Sequence, residues 1–219
     1  MKTIKELNQS IGGLTKTTKL DYLSYSIPSK ECKTGSKLRK VKNSICSDCY
    51  AYDRGMYLLY KKSIDKAQYN RFNILLNDIN SWEKNFSELI KRKKLKKFRW
   101  HDSGDVQSLE HMKAIINIAK NNPQCIFWLP MKEYGIYNHI KNDIPENLII
   151  RVSHPMKNAI FSNGKYKHHC GAITKDYINT FIKKYGEDKI CPAYKQKGKC
   201  NGCIKCWNSN IDLIAYILH

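Results

Sequence analysis

The feature that most constrains the fold is a repeated alternation of short apolar runs with helical patterns. The run FRW (98–100) is followed by the polar turn HDSGD and by a helical pattern with Ser108 as N-cap. The segments CIFWLPMK (125–132), GIYNHIKND and NLIIRVSHP then repeat the order strand, helix, strand. Because helices between buried strands imply parallel pairing, the sequence predicts an α/β protein with a parallel sheet, either open or closed into a partial (β/α) barrel.

Weaker patterns complete this outline. LDYLSYSIP alternates as a strand that Pro28 ends, and residues 29–47 are expected to form a long loop. Apolar residues at three and four spacing predict a helix over about 49–77. A second helix is predicted over SWEKNFSELIKRKKL, with Ser81 as N-cap. A further helix is expected over 175–185, while IDLIAYILH fits either a strand or a helix.

The 219 residues divide by cysteine content into two parts. We expect an α/β partial-barrel core over residues 1–165 with the N-terminal cysteines in a loop, and a cysteine-rich C-terminal extension over residues 166–219. No stretch approaches the ~20 apolar residues of a membrane span, and the N-terminus lacks the apolar region of a signal peptide. The sequence therefore predicts a cytoplasmic protein.

Charge and cysteine content narrow the chemistry. Lys and Arg outnumber Asp and Glu by 39 to 19, a net charge of +20, which favours an anionic partner such as a nucleotide or nucleic acid. A Lys-rich and Asn-rich composition from AT-rich coding explains the same charge equally well. Nine cysteines in a reducing compartment indicate metal or redox chemistry more than disulfides.

Four cysteines form a group near the C-terminus, in CPAYKQKGKCNGCIKCW. Cys191 is followed by Cys200, Cys203 and Cys206, so four thiolates within sixteen residues can complete a metal site locally. The repeated C-x2-C steps are typical of iron–sulfur proteins, and a four-cysteine zinc site also accepts them. We therefore predict a metal here, with an iron–sulfur cluster favoured over Zn²⁺.

Three more cysteines, Cys32, Cys46 and Cys49, lie in the loop before the predicted long helix. A structural zinc site fills four positions, whereas three protein ligands leave one position open for a substrate or cofactor. The alternative is a fourth ligand from Cys170, His168 or His169 in KHHCG. Cys125 opens an apolar strand and is expected to be a core residue.

Polar residues follow several predicted strands. Since ligand sites lie at the carboxyl ends of parallel strands, we expect 101–105, 132–133 and 153–154 to face one cavity with the Cys32–Cys49 loop. His101, Asp102 and Asp105 could act as a general acid and base. The alternative for HDSGD is a hydrogen-bonded turn with a helix cap.

The motifs also carry a resemblance. LSYSIPSKECKTGSK, ICSDCYAYDRGMY, FRWHDSGDVQS, FWLPMKE, IIRVSHP and CPAYKQKGKCNGCIKCW resemble the phage gene-product-eighty-eight family of uncharacterised phage and plasmid proteins, from about Leu20 to Trp207. More weakly, the chain is similar to radical S-adenosylmethionine enzymes, in which three cysteines hold a [4Fe-4S] cluster and the methionine moiety of the cofactor occupies the fourth iron. Their usual C-x3-C-x2-C is here C-x13-C-x2-C.

The second resemblance implies roles for individual residues. Cys32, Cys46 and Cys49 would hold the cluster, and the four C-terminal cysteines would hold an auxiliary one. The residues implied to contact S-adenosylmethionine are Tyr50 near the cofactor, Ser103, Gly104 and Asp105 at its amino group, and Arg151 and Ser153 at its carboxylate or ribose. For Arg151, a salt-bridged arginine at a strand end is the alternative.

Three functions follow from these patterns. The first is a radical S-adenosylmethionine-like enzyme with two clusters that acts on an anionic substrate and takes electrons from a donor protein. The second is a zinc-stabilised, non-enzymatic nucleic-acid-binding protein that contacts phosphates through KRKKLKK. The third is an iron–sulfur protein without S-adenosylmethionine chemistry.

Overall fold

The computed structural model describes residues 1–162 and 164–218, which build an α/β protein around one seven-stranded sheet. The strands are β1 (Thr15–Lys16), β2 (Leu23–Tyr25), β3 (Lys97–Trp100), β4 (Ile126–Met131), β5 (Leu148–Ser153), β6 (His169–Ile173) and β7 (Leu213–Ile217). They lie side by side in chain order, with β1 antiparallel to β2 and every later pair parallel. The predicted α/β class and the mostly parallel sheet are confirmed.

The helices lie mainly in the connections between strands. They are α1 (Ile4–Ser10), α2 (Lys33–Leu38), α3 (Tyr50–Asp53), α4 (Met56–Leu59), α5 (Lys61–Asn77), α6 (Ile79–Arg92), α7 (Leu109–Lys120), α8 (Tyr134–Ile140) and α9 (Ile178–Tyr185). Because crossovers between parallel neighbours are right-handed, strands in sequential order place their helices on one face of the sheet. The opposite face of the sheet must therefore be covered by other segments of the chain.

The helix-covered face carries the main apolar core. Side chains that alternate along the strands, such as Phe98, Trp100 and Phe127, pack against α6 and α7 and are fully buried. Tyr25 joins them and donates its hydroxyl hydrogen to the Ile11 carbonyl at 2.8 Å, while Trp82 Nε1 donates to the Tyr25 hydroxyl at 3.1 Å. The phenol is therefore buried with its polar atom satisfied, as burial requires.

The C-terminal chain covers the opposite face. Cys206 and Trp207 pack there against Trp128 of β4 and Ile214 of β7, and Trp207 Nε1 donates to the Phe98 carbonyl at 2.9 Å. Residues 166–219, expected as a C-terminal extension, thus also supply β6 and β7 to the common sheet.

Arg151 fastens this cover to the sheet. It lies on β5, is fully buried, and its guanidinium donates to five backbone carbonyls. The acceptors are Lys205, Cys206, Asn208, Ile211 and Asp212, at 2.9–3.5 Å. The carbonyls of Lys205, Asn208 and Asp212 also accept from a backbone N–H, so the arginine adds a second donor to them and joins five points of the C-terminal chain to β5.

Several local expectations were wrong. The helix expected over 49–77 is divided into α3, α4 and α5, because Gly55 adopts φ +53, a conformation that ends a right-handed helix. The loop expected over 29–47 contains α2. The N-cap of α6 is Asp78, whose carboxylate accepts from the Ser81 backbone N–H at 2.9 Å, and not Ser81.

Other expectations were resolved or met. IDLIAYILH, left open between strand and helix, forms strand β7, although His219 lies outside the described residues. Ser108 is the N-cap of α7, as predicted, and accepts from the His111 backbone N–H at 3.1 Å. Within the described part of the chain, no helix is both long and apolar enough to cross a membrane.

The role of Arg151 is testable by substitution. We expect Arg151→Met to lower the free energy of unfolding by about 3 kcal/mol or more, because the hydrogen bonds of one fully buried side chain to five carbonyls of the C-terminal chain are lost at once. Urea denaturation followed by circular dichroism measures the change. The control is Arg54→Met: this side chain is 58% exposed and pairs with Asp48 at 2.6 Å, so its loss should cost less than about 1 kcal/mol. Equal stability of the two variants would contradict this role.

Candidate metal and cofactor site

The loop that carries Cys32, Cys46 and Cys49 lies across the carboxyl ends of the parallel strands. Ile45 N–H donates to the Pro155 carbonyl after β5 at 2.9 Å, and Ile27 N–H, just after β2, donates to the Ser103 carbonyl after β3 at 3.1 Å. The segments after β2, β3 and β5 are thus tied to one another.

The sulfur atoms of this loop lie close to one another around Gly35. A β-carbon at Gly35 would lie 2.9 Å from Cys32 Cβ and 3.7 Å from the Sγ atoms of both Cys32 and Cys46. A β-carbon at this position would collide with Cys32, so glycine allows the sulfurs of Cys32 and Cys46 to lie this close. Cys49 adds its charge to the environment of both other thiols.

Burial controls the protonation of these thiols. It raises the pKa of both Cys32 and Cys46, while the ammonium group of Lys132 favours their thiolate forms. Asp105 opposes ionisation of Cys32, since like charges repel. A bound metal would favour the thiolate forms further, because the thiolate is the form of cysteine that binds a metal.

Glu133 clamps the three-cysteine loop to the sheet. Its carboxylate, after β4, accepts from the Thr34 backbone N–H at 2.9 Å and from the Thr34 hydroxyl at 2.8 Å. These contacts fix the first turn of α2, whose N-cap is Cys32. Sequence analysis places Glu133 at this edge without a role, because a partner 99 residues away leaves no signal in the local pattern.

Asp105 links the turn after β3 to the end of β4. Its carboxylate accepts from the backbone N–H of Val106 at 2.8 Å and of Lys132 at 2.9 Å. Burial raises its pKa to about 7, and the nearby Lys132 ammonium partly offsets that rise. A carboxyl group with such a pKa can hold or release a proton near neutral pH, as a general acid or base requires.

Asp102 and Tyr50 meet on the same side of the sheet. More than half of the Tyr50 side chain is exposed, yet its hydroxyl reaches inward and donates to the Asp102 carbonyl. The Tyr57 hydroxyl lies 3.5 Å from Asp102 Oδ2, while Oδ1 is buried without a partner. Tyr57 also lies within hydrogen-bonding reach of Ser103. The sequence gives no indication of Tyr57.

Gly104 is explained by packing. It has φ +83, and a β-carbon there would lie 2.3 Å from Ile27 Cγ1 and 2.7 Å from the Ile27 carbonyl oxygen. The chain after β2 thus approaches Gly104 closely, which gives the glycine a packing reason beside the cofactor contact that the resemblance implies. Gly104 therefore serves contact between two loops.

His101 lies in the core beside α7. Its ring is 5.4 Å from that of His111 and 6.1 Å from that of Trp100, and both ring nitrogens are buried without partners. Burial, with the charges of His111 and Arg99, lowers its pKa well below the usual value. A neutral histidine in these surroundings fits a packing role and not the acid–base role proposed for it from the sequence.

Arg151 and Ser153 follow the structural alternative more than the cofactor role. All donor positions of Arg151 are used by backbone carbonyls, so no fork remains for a cofactor carboxylate. Ser153 is buried at the end of β5, where its carbonyl accepts from the Tyr134 hydroxyl at 2.9 Å. Its side chain lies beside Cys170 on β6.

The four C-terminal cysteines line one cavity on the opposite face from the main core. Cys191, Cys200, Cys203 and Cys206 surround it together with Pro192, Ala193, Lys205 and Ile214. Cys206 Sγ lies 3.2 Å from the Tyr216 hydroxyl, and burial raises the pKa of its thiol to about 12. The structure thus brings together the group that the sequence spacing predicted.

The remaining candidate ligands lie apart from both groups. His168 Nδ1 is 3.3 Å from the Ile211 carbonyl, and His169 lies near Asp212. Cys170 faces the Arg151 carbonyl and Ser153. Cys125 is buried in the main core, as expected.

The donor chemistry of both cysteine groups fits a metal. Thiolates are the ligands of iron–sulfur clusters and of structural zinc, and Lys132 and Arg39 near Cys46 would balance the negative charge of a thiolate-bound group. In the residues that the structure describes, no three or more His, Cys, Asp or Glu side chains are spaced to hold a metal ion.

The pH dependence of stability tests the assignment of the histidine pair. Burial lowers the pKa of His111 to about 3, against about 6.5 in the unfolded chain, so the unfolded state binds more protons between these values. Stability should be full above pH 6.5 and decrease as the pH falls. We expect His111→Gln to remove about 1 kcal/mol of the decrease between pH 6.5 and 5.5, because the unfolded histidine is already half protonated at pH 6.5.

Chemical denaturation at several pH values measures this change. His139→Gln is the control, because His139 is exposed on α8 and should leave the slope unchanged. A slope for His111→Gln equal to that of the unsubstituted protein would contradict a buried neutral His111.

Comparison with known proteins gives a family. The model of the family described as Gene product 88 matches residues 2–209. No curated protein and no solved structure matches the chain. These findings do not support the weaker resemblance to radical S-adenosylmethionine enzymes, which stays a prediction. Because the match spans nearly the whole sequence, the chain belongs to the Gene product 88 family.

Proposed function

We propose that this protein is an iron–sulfur, radical S-adenosylmethionine-like enzyme that acts on an anionic substrate. A [4Fe-4S] cluster would be bound by Cys32, Cys46 and Cys49. A second cluster would be bound by Cys191, Cys200, Cys203 and Cys206. When bound, the first cluster with S-adenosylmethionine would supply one-electron cleavage of that cofactor, with electrons from a donor protein.

One observation carries the proposal. Cys32 and Cys46 lie close together around Gly35 in the loop that crosses the carboxyl ends of the parallel sheet, and Cys49 is near enough for its charge to act on both. The other four cysteines line a separate cavity. His168, His169 and Cys170 contact residues outside the first group, namely Ile211, Asp212 and Arg151, which favours three protein ligands over four. Three protein ligands leave one coordination position for an exogenous ligand.

The residues around the first group would prepare it for this role. Glu133 holds the start of α2 and with it Cys32, and Gly35 leaves room for two sulfurs. Lys132 would balance the charge of the thiolates. Asp105, whose pKa is about 7, would hold or release a proton beside the substrate.

A shallow cavity of about 80 Å³ opens beside the first group. It is lined by Arg39, Cys46, Ser47, Cys49, Tyr52 and Arg54. Arg39 lies over the Tyr52 ring, 3.2 Å from its centroid. Two guanidinium groups and an aromatic ring at this mouth are suited to an anionic molecule that approaches the thiolates.

Metal analysis tests the proposal directly. Protein purified without oxygen should be brown and contain about eight iron and eight sulfide per chain, since each site would hold four of each. Cys46→Ala and Cys203→Ala should each lower these contents by about half, whereas the control Cys125→Ala should leave them unchanged. A colourless protein with stoichiometric zinc would rule the proposal out and favour the zinc-binding alternative.

Cofactor cleavage separates the enzyme from a purely structural iron–sulfur protein. The reduced protein should change its paramagnetic resonance spectrum on addition of S-adenosylmethionine and release 5′-deoxyadenosine. Cys46→Ala should abolish both effects. An iron-loaded protein that gives neither would be an iron–sulfur protein without this chemistry.

Gly35 provides a sharper test of the three-cysteine geometry. Gly35→Ala places a β-carbon 2.9 Å from Cys32 Cβ, so we expect the metal content of the first site to fall several-fold while the second site stays loaded. The matched control is Gly135→Ala in α8, where a β-carbon would meet nothing within 4 Å. Full metal content in Gly35→Ala would show that metal binding at the first site does not depend on the space that Gly35 leaves beside Cys32 and Cys46.

Nucleic acid is the anionic partner that the surface charge favours. Lys93, Lys94 and Lys96 are exposed at the end of α6, whereas Lys97 packs over the Tyr22 ring at 5.3 Å. This lysine cluster lies at the amino end of β3, away from the three-cysteine loop. It suits phosphate contacts outside the reaction site.

The salt dependence of binding tests this contribution. Replacing Lys93, Lys94 and Lys96 with Gln should reduce the slope of log K against log salt by about 2 to 3 for duplex DNA, because each phosphate contact contributes about 0.9. A control with the same charge change replaces the exposed Lys175, Lys183 and Lys184, and should keep the original slope. Identical slopes would leave the cluster as a solvated helix end.

A further inference from the structure

Arg99 occupies a central position between the two cysteine groups. It pairs across the sheet with Trp128 of β4, on the face opposite the main core, and its guanidinium carbon lies 4.6 Å from the centroid of the Trp128 ring. Its charge acts on Tyr50 and Asp102 toward the first group and on Tyr216 and Cys206 toward the second. Arg99 therefore lies between the two cysteine groups.

This arginine has donors that are not used. Its guanidinium contacts the Trp128 ring and hydrogen-bonds the Tyr50 hydroxyl, but its Nε is buried without a partner. The Trp128 side chain beside it is 5% exposed, and its Nε1 is also buried without a partner. Two adjacent N–H donors, Arg99 Nε and Trp128 Nε1, therefore lack an acceptor, which is costly for buried groups.

Comparison with Arg151 shows that this state is not imposed by the sheet. Both arginines lie on the same face, yet Arg151 donates to five carbonyls. In the described residues no backbone carbonyl accepts from the Arg99 side chain in the same way. Arg151 therefore uses its hydrogen-bond donors to hold the fold together, whereas Arg99 keeps a donor that a ligand could use.

Other charges around Arg99 limit what could bind. Asp102 Oδ1 is buried without a partner and repels an anion that comes too close, but it accepts from a hydroxyl or amino group next to that anion. The Tyr50 hydroxyl lies between them. The arrangement therefore selects a molecule that carries an anionic group beside a hydrogen-bond donor.

We infer that Arg99 and Trp128 form the recognition site for the anionic group, a carboxylate or a phosphate, of a molecule that lies between the two cysteine groups. Arg99 would bind this group through its guanidinium, with Trp128 Nε1 as a second donor and Asp102 as acceptor for the neighbouring donor. The inference rests on the proposed function for the anionic nature of the ligand, but it requires no bound metal.

Binding to the full-length protein tests this inference. Isothermal titration is carried out with adenosine 5′-monophosphate, inorganic phosphate and S-adenosylmethionine, on samples whose iron and sulfide contents are also measured. Binding of either phosphate probe identifies a phosphate-bearing substrate, and binding of S-adenosylmethionine alone identifies the cofactor carboxylate. At least one probe should bind, and Arg99→Met should weaken it tenfold or more, with metal content unchanged.

Two further variants define the donors. Trp128→Phe keeps a ring under the guanidinium and removes only Nε1, so it should weaken the same probe several-fold. Arg92→Met removes the same charge from α6, where the side chain donates to the Lys2 carbonyl, and should bind as the unsubstituted protein does.

Stability distinguishes recognition from a structural role. Without ligand, Arg99→Met should unfold within a few degrees of the unsubstituted protein, because this half-buried side chain leaves its Nε without a partner and, unlike Arg151, does not hold the C-terminal chain to the sheet. Arg151→Met should unfold at a clearly lower temperature. The inference is overturned if none of the probes binds, if Arg99→Met binds unchanged, or if it is destabilised or misfolded like Arg151→Met. If the unsubstituted protein contains no iron but still binds a probe through Arg99, the iron–sulfur proposal is wrong and this inference stands.

Discussion

The sequential order of parallel strands is the constraint on which the rest of the structure depends. Right-handed crossovers between neighbouring strands put the helices on one face, where Phe98, Trp100 and Phe127 bury the main core. The other face carries polar and aromatic side chains and needs its own cover. Both cysteine groups lie in segments outside this regular pattern: one crosses the carboxyl ends of the strands, and the other packs on the face without helices.

A few polar contacts hold these irregular segments in place. Glu133 binds the first turn of α2, Asp105 joins two strand ends, and Arg151 satisfies five carbonyls of the C-terminal cover. Each is buried, and each connects residues that are distant in the sequence. The net free energy that each of these hydrogen bonds adds to stability is modest. Removing one partner costs more, because the remaining buried group then has neither a hydrogen bond nor water around it.

The two arginines on the face without helices differ in how many of their hydrogen-bond donors are used. Arg151 and Arg99 lie on it, but only Arg151 has a full set of backbone acceptors. A buried donor without a partner needs an explanation, and the contrast between the two arginines directs attention to the region between the cysteine groups. The positive charge of the chain, +20, agrees with an anion there.

The sequence by itself determined the βα alternation, most strand positions and the grouping of the C-terminal cysteines, because periodicity and short spacing are local properties. It could not decide that His101 faces His111 or that Gly104 makes room for Ile27. It also could not show that backbone carbonyls use all the hydrogen-bond donors of Arg151 but not those of Arg99. Those outcomes depend on which distant segments cover each face of the sheet, and only the packed chain brings donors and acceptors more than fifty residues apart within hydrogen-bonding distance.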